Sequence, residues 1–303
     1  MNCRTWLFAI VSLGVGFGHA QTELPVRFEN DLIYFLAPLQ TGSQLKFYTD
    51  TGGGMFVLEG AAERLGLELE AGEKDSRFAK IPNVAGDLPA LPEKLFVMAA
   101  PKEKAAGFAD GMLGHVWFGD QIWTFDYGQK RLIHHEMKRA MPESHSVELK
   151  FLIKDGSRQT HFPCVEAKID GQTMPFLFDT GAQITLKEEA HKTLGGDAFR
   201  ATSFIVASVF DRWREDHPEW QVILDADRMV PGGHLIQVPS VTIAGHKVGP
   251  VWFTRRPDAN FHDYMSGMMG CRVEGALGGS LFRYFKITVD YPSARAYFQK
   301  LLN

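Results

Sequence analysis

Past residue 20 the chain has no apolar run approaching the ~20 residues that a membrane-crossing helix needs. It has no block of like charge either. Lys and Arg number 32 against 36 Asp and Glu, a net charge of −4. That balance excludes the basic stripe with which proteins grip phosphate backbones, and no charge run is long enough to form an interaction tail. No Gly-rich phosphate loop adjoins a helix, and no basic-aromatic surface is present, so a nucleic-acid partner is not expected. No cluster of side chains has metal-ligand spacing, so neither metal nor other cofactor is expected. Cysteine is scarce, at 3 in 303 residues. What remains is an ordinary globular composition, 45% hydrophobic and 22% charged, in a chain long enough for two domains.

The first twenty residues read as a secretory signal. Arg4 supplies a positive start, residues 6–17 are apolar, and Gly18-His19-Ala20 offers small residues ahead of a new N-terminus at Gln21. The alternative is an uncleaved anchor. Cleavage implies a periplasmic or secreted protein with no stable membrane insertion. Cys164 and Cys271 then remain in an oxidising compartment, an even pair that permits one disulfide or two buried thiols.

The chain repeats itself once. Asp50-Thr51-Gly52 follows an apolar stretch and precedes a helical pattern reaching Leu65-Gly66; Asp179-Thr180-Gly181 does the same and reaches Leu194-Gly195. Both Asp-to-Leu offsets are 15 positions. Later, Gly111-Met112-Leu113-Gly114 leads to Asp126-Tyr127, and Gly275-Ala276-Leu277-Gly278 leads to Asp290-Tyr291, again 15 positions on from the first Gly in each case. Four landmarks in one order indicate a duplicated domain. The expected division is a signal at 1–20, an N-terminal lobe at 21–135, a linker at 136–146 and a C-terminal lobe at 147–303. The second half is 35 residues longer between its landmarks, and an insertion near 202–230 is expected.

Residues 165–169 alternate apolar and polar, then Asp170-Gly171 gives a hairpin turn and 173–178 the return strand. A second hairpin is expected over 238–253, turning at Ala244-Gly245. Short helices are expected at 60–65, at 187–194 and after Gly279. The class is therefore mainly β, with a few short helices.

The chemistry lies in the two Asp-Thr-Gly turns. In each, an apolar strand delivers a carboxylate, and the Gly admits a close neighbour. Pseudo-twofold packing of the halves would bring Asp50 and Asp179 together. Two close carboxylates share a proton, so one can act as base on a water while the other polarises a carbonyl. The residues after the turns, Gly53 and Ala182, carry no hydroxyl to stabilise the ionised form, which is expected to hold the pair's pKa values up.

These motifs resemble the retropepsin and pepsin group of aspartic peptidases. The resemblance covers both halves and looks like two fused retropepsin units in one chain. It implies two pseudo-twofold-related β-barrel lobes, with Met112-Leu113-Gly114 and Ala276-Leu277-Gly278 passing behind the turns. It implies that Asp50 and Asp179 are catalytic, supported by Thr51, Gly52, Thr180 and Gly181, with the two threonines interlocked beneath the aspartates. The sequence departs from the family at Gly53 and Gly54, where Ala or Ser is usual. Flap candidates are 78–100 and 201–237.

The expected function is an exported aspartic endopeptidase acting on polypeptides as a monomer. The alternatives are a peptide-binding pseudoenzyme of the same fold and a structural envelope protein pairing through sheet edges. Other motifs read as structural. Ser43 and Lys46 lie in a turn and strand rather than at a helix start. His134-His135 lacks helical zinc spacing. Asp126 and Asp290 end strands, and Trp213 and Trp220 are expected to pack an added element.

Overall fold

The computed structural model describes residues 21–99, 109–136 and 145–302. The expected signal at 1–20 and most of the expected linker, 137–144, lie outside the described residues, as does Ala100 at the end of the first flap candidate.

In chain order the first half runs β1 (Gln21–Glu23), β2 (Val26–Glu29), β3 (Leu32–Pro38), β4 (Gln44–Thr49), β5 (Phe56–Leu58), α1 (Glu59–Leu65), β6 (Leu69–Ala71), β7 (Arg77–Lys80), β8 (Lys94–Met98), β9 (Gly111–Leu113), α2 (His115–Phe118), β10 (Ile122–Asp126) and β11 (Arg131–His135). The second half begins with β12 (Ser146–Glu148), the small hairpin β13 (Ile153–Lys154) and β14 (Ser157–Arg158), β15 (Cys164–Ile169) and β16 (Gln172–Phe178). It continues with β17 (Gln183–Thr185), α3 (Glu188–Leu194), β18 (Phe199–Ala201), β19 (Ser203–Val206), α4 (Ala207–Asp216), β20 (Val222–Ile223), β21 (Leu235–Val238), β22 (Val241–Ile243), β23 (His246–Val248) and β24 (Val251–Arg256). A π-helical turn (Asn260–Met265) and a 3-10 turn (Ser266–Met268) precede β25 (Gly275–Leu277), α5 (Gly279–Phe282), β26 (Phe285–Asp290) and β27 (Arg295–Lys300). The protein is mainly β; the three expected short helices are α1, α3 and α5, while α2 and α4 were not expected.

Three large sheets hold most of these strands, and β13–β14 and β17–β18 form two-stranded sheets of their own. One of eight runs β2-β3-β4-β9-β5-β8-β7-β6, and one of nine runs β20-β21-β24-β19-β25-β16-β15-β22-β23. A third, β1-β11-β10-β26-β27-β12, takes strands from both halves. At its centre β10 pairs antiparallel with β26, with Thr124 opposite Thr288 and their hydroxyls 2.7 Å apart. β10 is buried along its whole length, as a central strand covered on both faces must be. The largest core cluster runs unbroken from one half to the other: Phe178 stacks on Phe282 at 4.3 Å and lies 6.0 Å from Phe125.

Local chemistry explains the strands. In β15, Glu166 and Lys168 are exposed between buried Val165, Ala167 and Ile169. Asp170 and Gly171 both take positive φ, 48° and 74°, as a tight two-residue hairpin requires. The second expected hairpin is shorter than read. β22 and β23 turn at Ala244-Gly245, but the ladder stops at Val248. Pro250 has no N–H to donate, so the chain breaks there, and β24 pairs instead with β21 and β19.

Sheet pairing also aligns the halves differently from the sequence. β5 is parallel to β8 and antiparallel to β9; β19 is parallel to β24 and antiparallel to β25. β19 and the helix after it, α4, are thus the counterparts of β5 and α1. The matching Leu-Gly helix in the sequence, α3, belongs to an excursion over 183–201. Its ends are tied where Thr202 N donates to Ala182 O at 3.0 Å. β5 begins four residues after Gly52, and β19 begins twenty-two after Gly181. About half of the extra chain therefore lies ahead of the 202–230 span. Within that span α4 buries Val209, Phe210 and Trp213, and Trp213 meets Phe253 edge-on at 5.6 Å.

Cys164 and Cys271 form a disulfide, which ties the start of β15 to the chain just beyond the π-helical turn. Among the described residues no helix is long and apolar enough to cross a membrane.

Candidate active site

β4 ends at Thr49 and β16 at Phe178, so each delivers its Asp at the sheet edge. Asp50 N donates to Leu113 O and Asp179 N to Leu277 O, both at 2.9 Å. The two X-Leu-Gly strands thereby hold the two carboxylate-bearing residues in the same way. Their glycines are needed because backbone crosses there. A Cβ at Gly114 would lie 2.0 Å from Gly54 O, and one at Gly278 would lie 2.1 Å from Thr202 O.

Beneath the aspartates the two threonines interlock. Thr51 Oγ1 accepts from Thr180 N at 3.0 Å and donates to Phe178 O at 2.8 Å. Thr180 Oγ1 accepts from Thr51 N at 3.1 Å and donates to Thr49 O at 3.3 Å. Both threonines are fully buried, so four bonds between the halves form out of water.

Each turn's Gly makes room for the other half's carboxylate. A Cβ at Gly52 would lie 2.6 Å from Asp179 Cγ, and one at Gly181 only 2.1 Å from Asp50 Cγ. Each Asp Oδ1 also accepts from the Gly two residues on, Gly52 N and Gly181 N, both at 2.9 Å. Gly53 N and Ala182 N donate to the main-chain oxygens of Asp50 and Asp179, at 3.1 and 3.4 Å, and also favour the ionised form of each carboxyl. The structure thus brings together all six residues that the sequence singles out: Asp50, Thr51, Gly52, Asp179, Thr180 and Gly181.

The carboxyls of Asp50 and Asp179 stand close enough that each acts on the other's ionisation. Burial, then the negative charge of Asp50, raises Asp179 well above the usual carboxylate range, against the pull of the Gly181 and Ala182 N–H groups. Burial also raises Asp50, but the neighbouring Asp179 carboxyl and the Gly52 and Gly53 N–H groups favour its ionised form. Asp179 is 8% exposed, while Asp50 is half-buried. Burial thus raises both carboxyls, and Asp50 is the more exposed of the two.

No family model matches this sequence, and no curated protein matches it. Among solved structures the chain is similar to the crystal structure of basic 7S globulin from soybean, at 12% identity over 93% of this chain and 95% of that one, with a TM-score of 0.49.

An open recess of about 370 Å³ adjoins the pair. Leu177, Phe204, Phe261, Tyr264 and Met265 give it apolar walls, and Arg256 lies among them. Arg256 is fixed by a buried ion pair with Asp227, at 2.8 Å, and its guanidinium stands 4.4 Å over the Phe204 ring. The wall thus comes mainly from β24 and the π-helical turn, outside both flap candidates except at Phe204. The sequence carries no local signal for it, since these residues meet only through the β19–β24 pairing. Tyr48 was equally invisible: it is buried and donates to Gly181 O at 2.7 Å, joining the first half's strand to the second half's turn.

The remaining motifs stand away from the pair. Asp126 Oδ1 accepts from Gln129 N and Asp290 Oδ1 from Ser293 N, matched caps of the turns after β10 and β26. His135 Nε2 meets Thr124 Oγ1 at 2.8 Å. Ser43 meets the Thr41 hydroxyl, and Lys46 pairs with Glu29. Among the described residues no group of three or more His, Cys, Asp or Glu is placed to hold a metal ion.

One histidine is coupled to the first turn. His115 N donates to Gly53 O at 3.0 Å, and its Nδ1 accepts from His161 N at 3.2 Å, with the ring 3.8 Å from Phe162. Burial, then the neighbouring His161, lowers its pKa from 6.5 to about 4. The unfolded chain therefore binds a proton more readily across that window. Stability present above pH 6.5 is expected to fall as pH drops towards 4, by about 2 kcal/mol after allowing for partial solvent access. His115→Gln keeps an acceptor but cannot titrate, so a melting series in pH should show a flatter acid limb for it. An unchanged limb would remove His115 as the cause.

Proposed function

We propose that the protein is an aspartic endopeptidase that hydrolyses peptide bonds with a water activated between Asp50 and Asp179. The observation that carries this reading is the placement of two adjacent carboxylates, one from each half, on interlocked Asp-Thr-Gly turns. Asp50, ionised and open to solvent, takes a proton from the water as its oxygen attacks the scissile carbonyl carbon. Asp179, protonated, donates to the carbonyl oxygen and stabilises the tetrahedral intermediate. Return of a proton to the amide nitrogen lets the C–N bond break, giving an acid and an amine and restoring one proton to the pair. The apolar recess would receive a side chain next to the cleaved bond.

In this reading the halves are two pseudo-twofold-related retropepsin-like lobes, and one chain supplies both carboxylates, so the enzyme works as a monomer. The signal-like first twenty residues support a periplasmic or secreted location, and the single disulfide suits an oxidising compartment.

The test is digestion of a proteome-derived peptide library by wild type and by Asp50→Asn. Reproducible cleavage by wild type alone supports the enzyme. Equal cleavage by both variants overturns the assignment, and saturable peptide binding with no cleavage by either identifies a peptide-binding pseudoenzyme instead.

A further inference from the structure

The two carboxylates sit in nearly matched turns, but their outer flanks are not the same. A Cβ at Gly53 would lie 2.5 Å from Asp50 Oδ2 and 2.8 Å from Met112 Sδ. The carboxylate oxygen and the thioether thus flank one point, and no side-chain atom of residue 53 can occupy it. In the other half that position is Ala182, whose Cβ is present and buried. The residue opposite has shrunk to match. Met112 pairs with Tyr48 in the β4–β9 ladder, two residues before Asp50, and Ala276 pairs with Leu177 in the β16–β25 ladder, two residues before Asp179. One turn is built as Gly with Met, the other as Ala with Ala.

We propose that Met112 is a positioning residue for Asp50: its thioether fills the volume beside the outer carboxylate oxygen and holds that carboxylate facing Asp179. This rests on the proteolytic reading for its kinetic consequence, though not for its structural one. The reasoning is steric and dielectric. Interiors pack tightly, so a missing methylthio group beside a carboxylate leaves room for rotation or for water. Met112 donates no hydrogen bond worth the name, so it keeps solvent away from Oδ2 without supplying a partner. The extra glycine that sets the first turn apart from the family pattern is then the space this side chain requires. Met112 also packs against the cluster of Tyr48, its ladder partner and the residue that bonds the opposite turn through Gly181 O, so it stands beside both the Asp50 turn and the strap between the halves.

The experiment is a double-mutant cycle that rebuilds the second turn's packing in the first. Four proteins are compared: wild type, Met112→Ala, Gly53→Ala, and the two changes together, with Met112→Leu as the conservative control. Two readouts are taken on each. Carboxyl-carbon NMR titration of Asp50 and Asp179 needs no substrate, and kcat and KM are measured on a peptide found in the library digest. Met112→Ala is expected to move the titration of the pair downwards, as water reaches Asp50, and to lower kcat by about tenfold or more with KM little changed. Gly53→Ala is expected to lose a similar factor through collision with Asp50 Oδ2. The combined variant keeps the collision with Asp50 Oδ2 but loses the one with Met112 Sδ, so it is expected to lose less than the product of the two single factors. Met112→Leu should stay close to wild type in both readouts.

Unchanged titration and unchanged kcat in Met112→Ala would overturn the proposal. So would a combined variant whose losses simply multiply. If wild type cleaves no peptide the proteolytic reading fails, and the carboxyl titrations still decide whether Met112 orders Asp50.

Discussion

Asp179→Asn is expected to abolish hydrolysis and, at the same time, to raise the melting temperature near neutral pH. The first effect follows from chemistry. An amide can neither hold the shared proton nor pass it to a carbonyl oxygen, and general acid–base groups account for about 10²–10⁴ in rate. The second follows from linkage. Burial and the charge of Asp50 raise the Asp179 pKa in the folded protein, so the folded state binds its proton more tightly than the unfolded chain does. Such a group contributes stability below its unfolded pKa of 3.8 and loses it as pH rises through the folded value. Near neutrality the pair is therefore a strained element, and an uncharged isostere relieves it. A rise of about 2 °C or more is expected, the scale that ~1 kcal/mol produces in a domain of this size. The pH slope above 3.8 should flatten in the same variant. Asp50→Asn should likewise remove activity. Calorimetry across pH, beside the library digest, reads both effects. Full activity in either variant would end the dyad assignment, and a lower melting temperature with an unchanged pH slope would end the claim of strain. The slope is opposite in sign to that expected from His115, which acts between about 4 and 6.5, so the two are separable by variant.

Gly181→Ala is expected to be severely damaging to activity. Its Cβ would fall 2.1 Å from Asp50 Cγ, with both carboxylate oxygens of Asp50 within 2.5 Å. Asp50 is also bonded to Gly52 N, so moving it clear of that contact costs that bond. Either Asp50 turns away from Asp179, or the Asp179 turn shifts and strains the Thr51–Thr180 interlock. A displacement of about 1 Å at reacting atoms costs about 10²-fold in rate, and overpacking a tight site costs about 1–3 kcal/mol. Activity should fall by at least that factor, with a measurable drop in melting temperature. Gly52→Ala, at 2.6 Å from Asp179 Cγ, should behave the same way. Gly54→Ala is the control, because nothing lies within 4 Å of its Cβ; it should leave stability close to wild type. If Gly181→Ala retained wild-type activity, the carboxylates could not be as close as they stand.

Much of this site was legible in the sequence because its determinants are local or repeated. Two Asp-Thr-Gly turns and two X-Leu-Gly motifs in one order named all six residues that meet at the centre. The strands around them were legible because burial on one face prints an alternation, as in Val165 to Ile169, and because Asp170-Gly171 has few uses other than a hairpin turn.

Tertiary structure alone decided the rest, since each remaining feature depends on residues far apart in the chain. Two helices each ending in Leu-Gly, fifteen residues after their aspartates, read as equivalents. Only the parallel β19–β24 pairing shows that α4 replaces α3 as the counterpart of α1. The bond of Cys164 to Cys271 needed the chain beyond the π-helical turn to return to β15. The apolar recess needed β24 to bring Arg256 and its neighbours beside Leu177. The unequal exposure of Asp50 and Asp179 needed two nearly identical turns to be packed differently. Motifs repeat faithfully because backbone geometry at a turn tolerates few residues. The packing around them diverges because a side chain such as Met112 is constrained only by the volume that its distant neighbours leave.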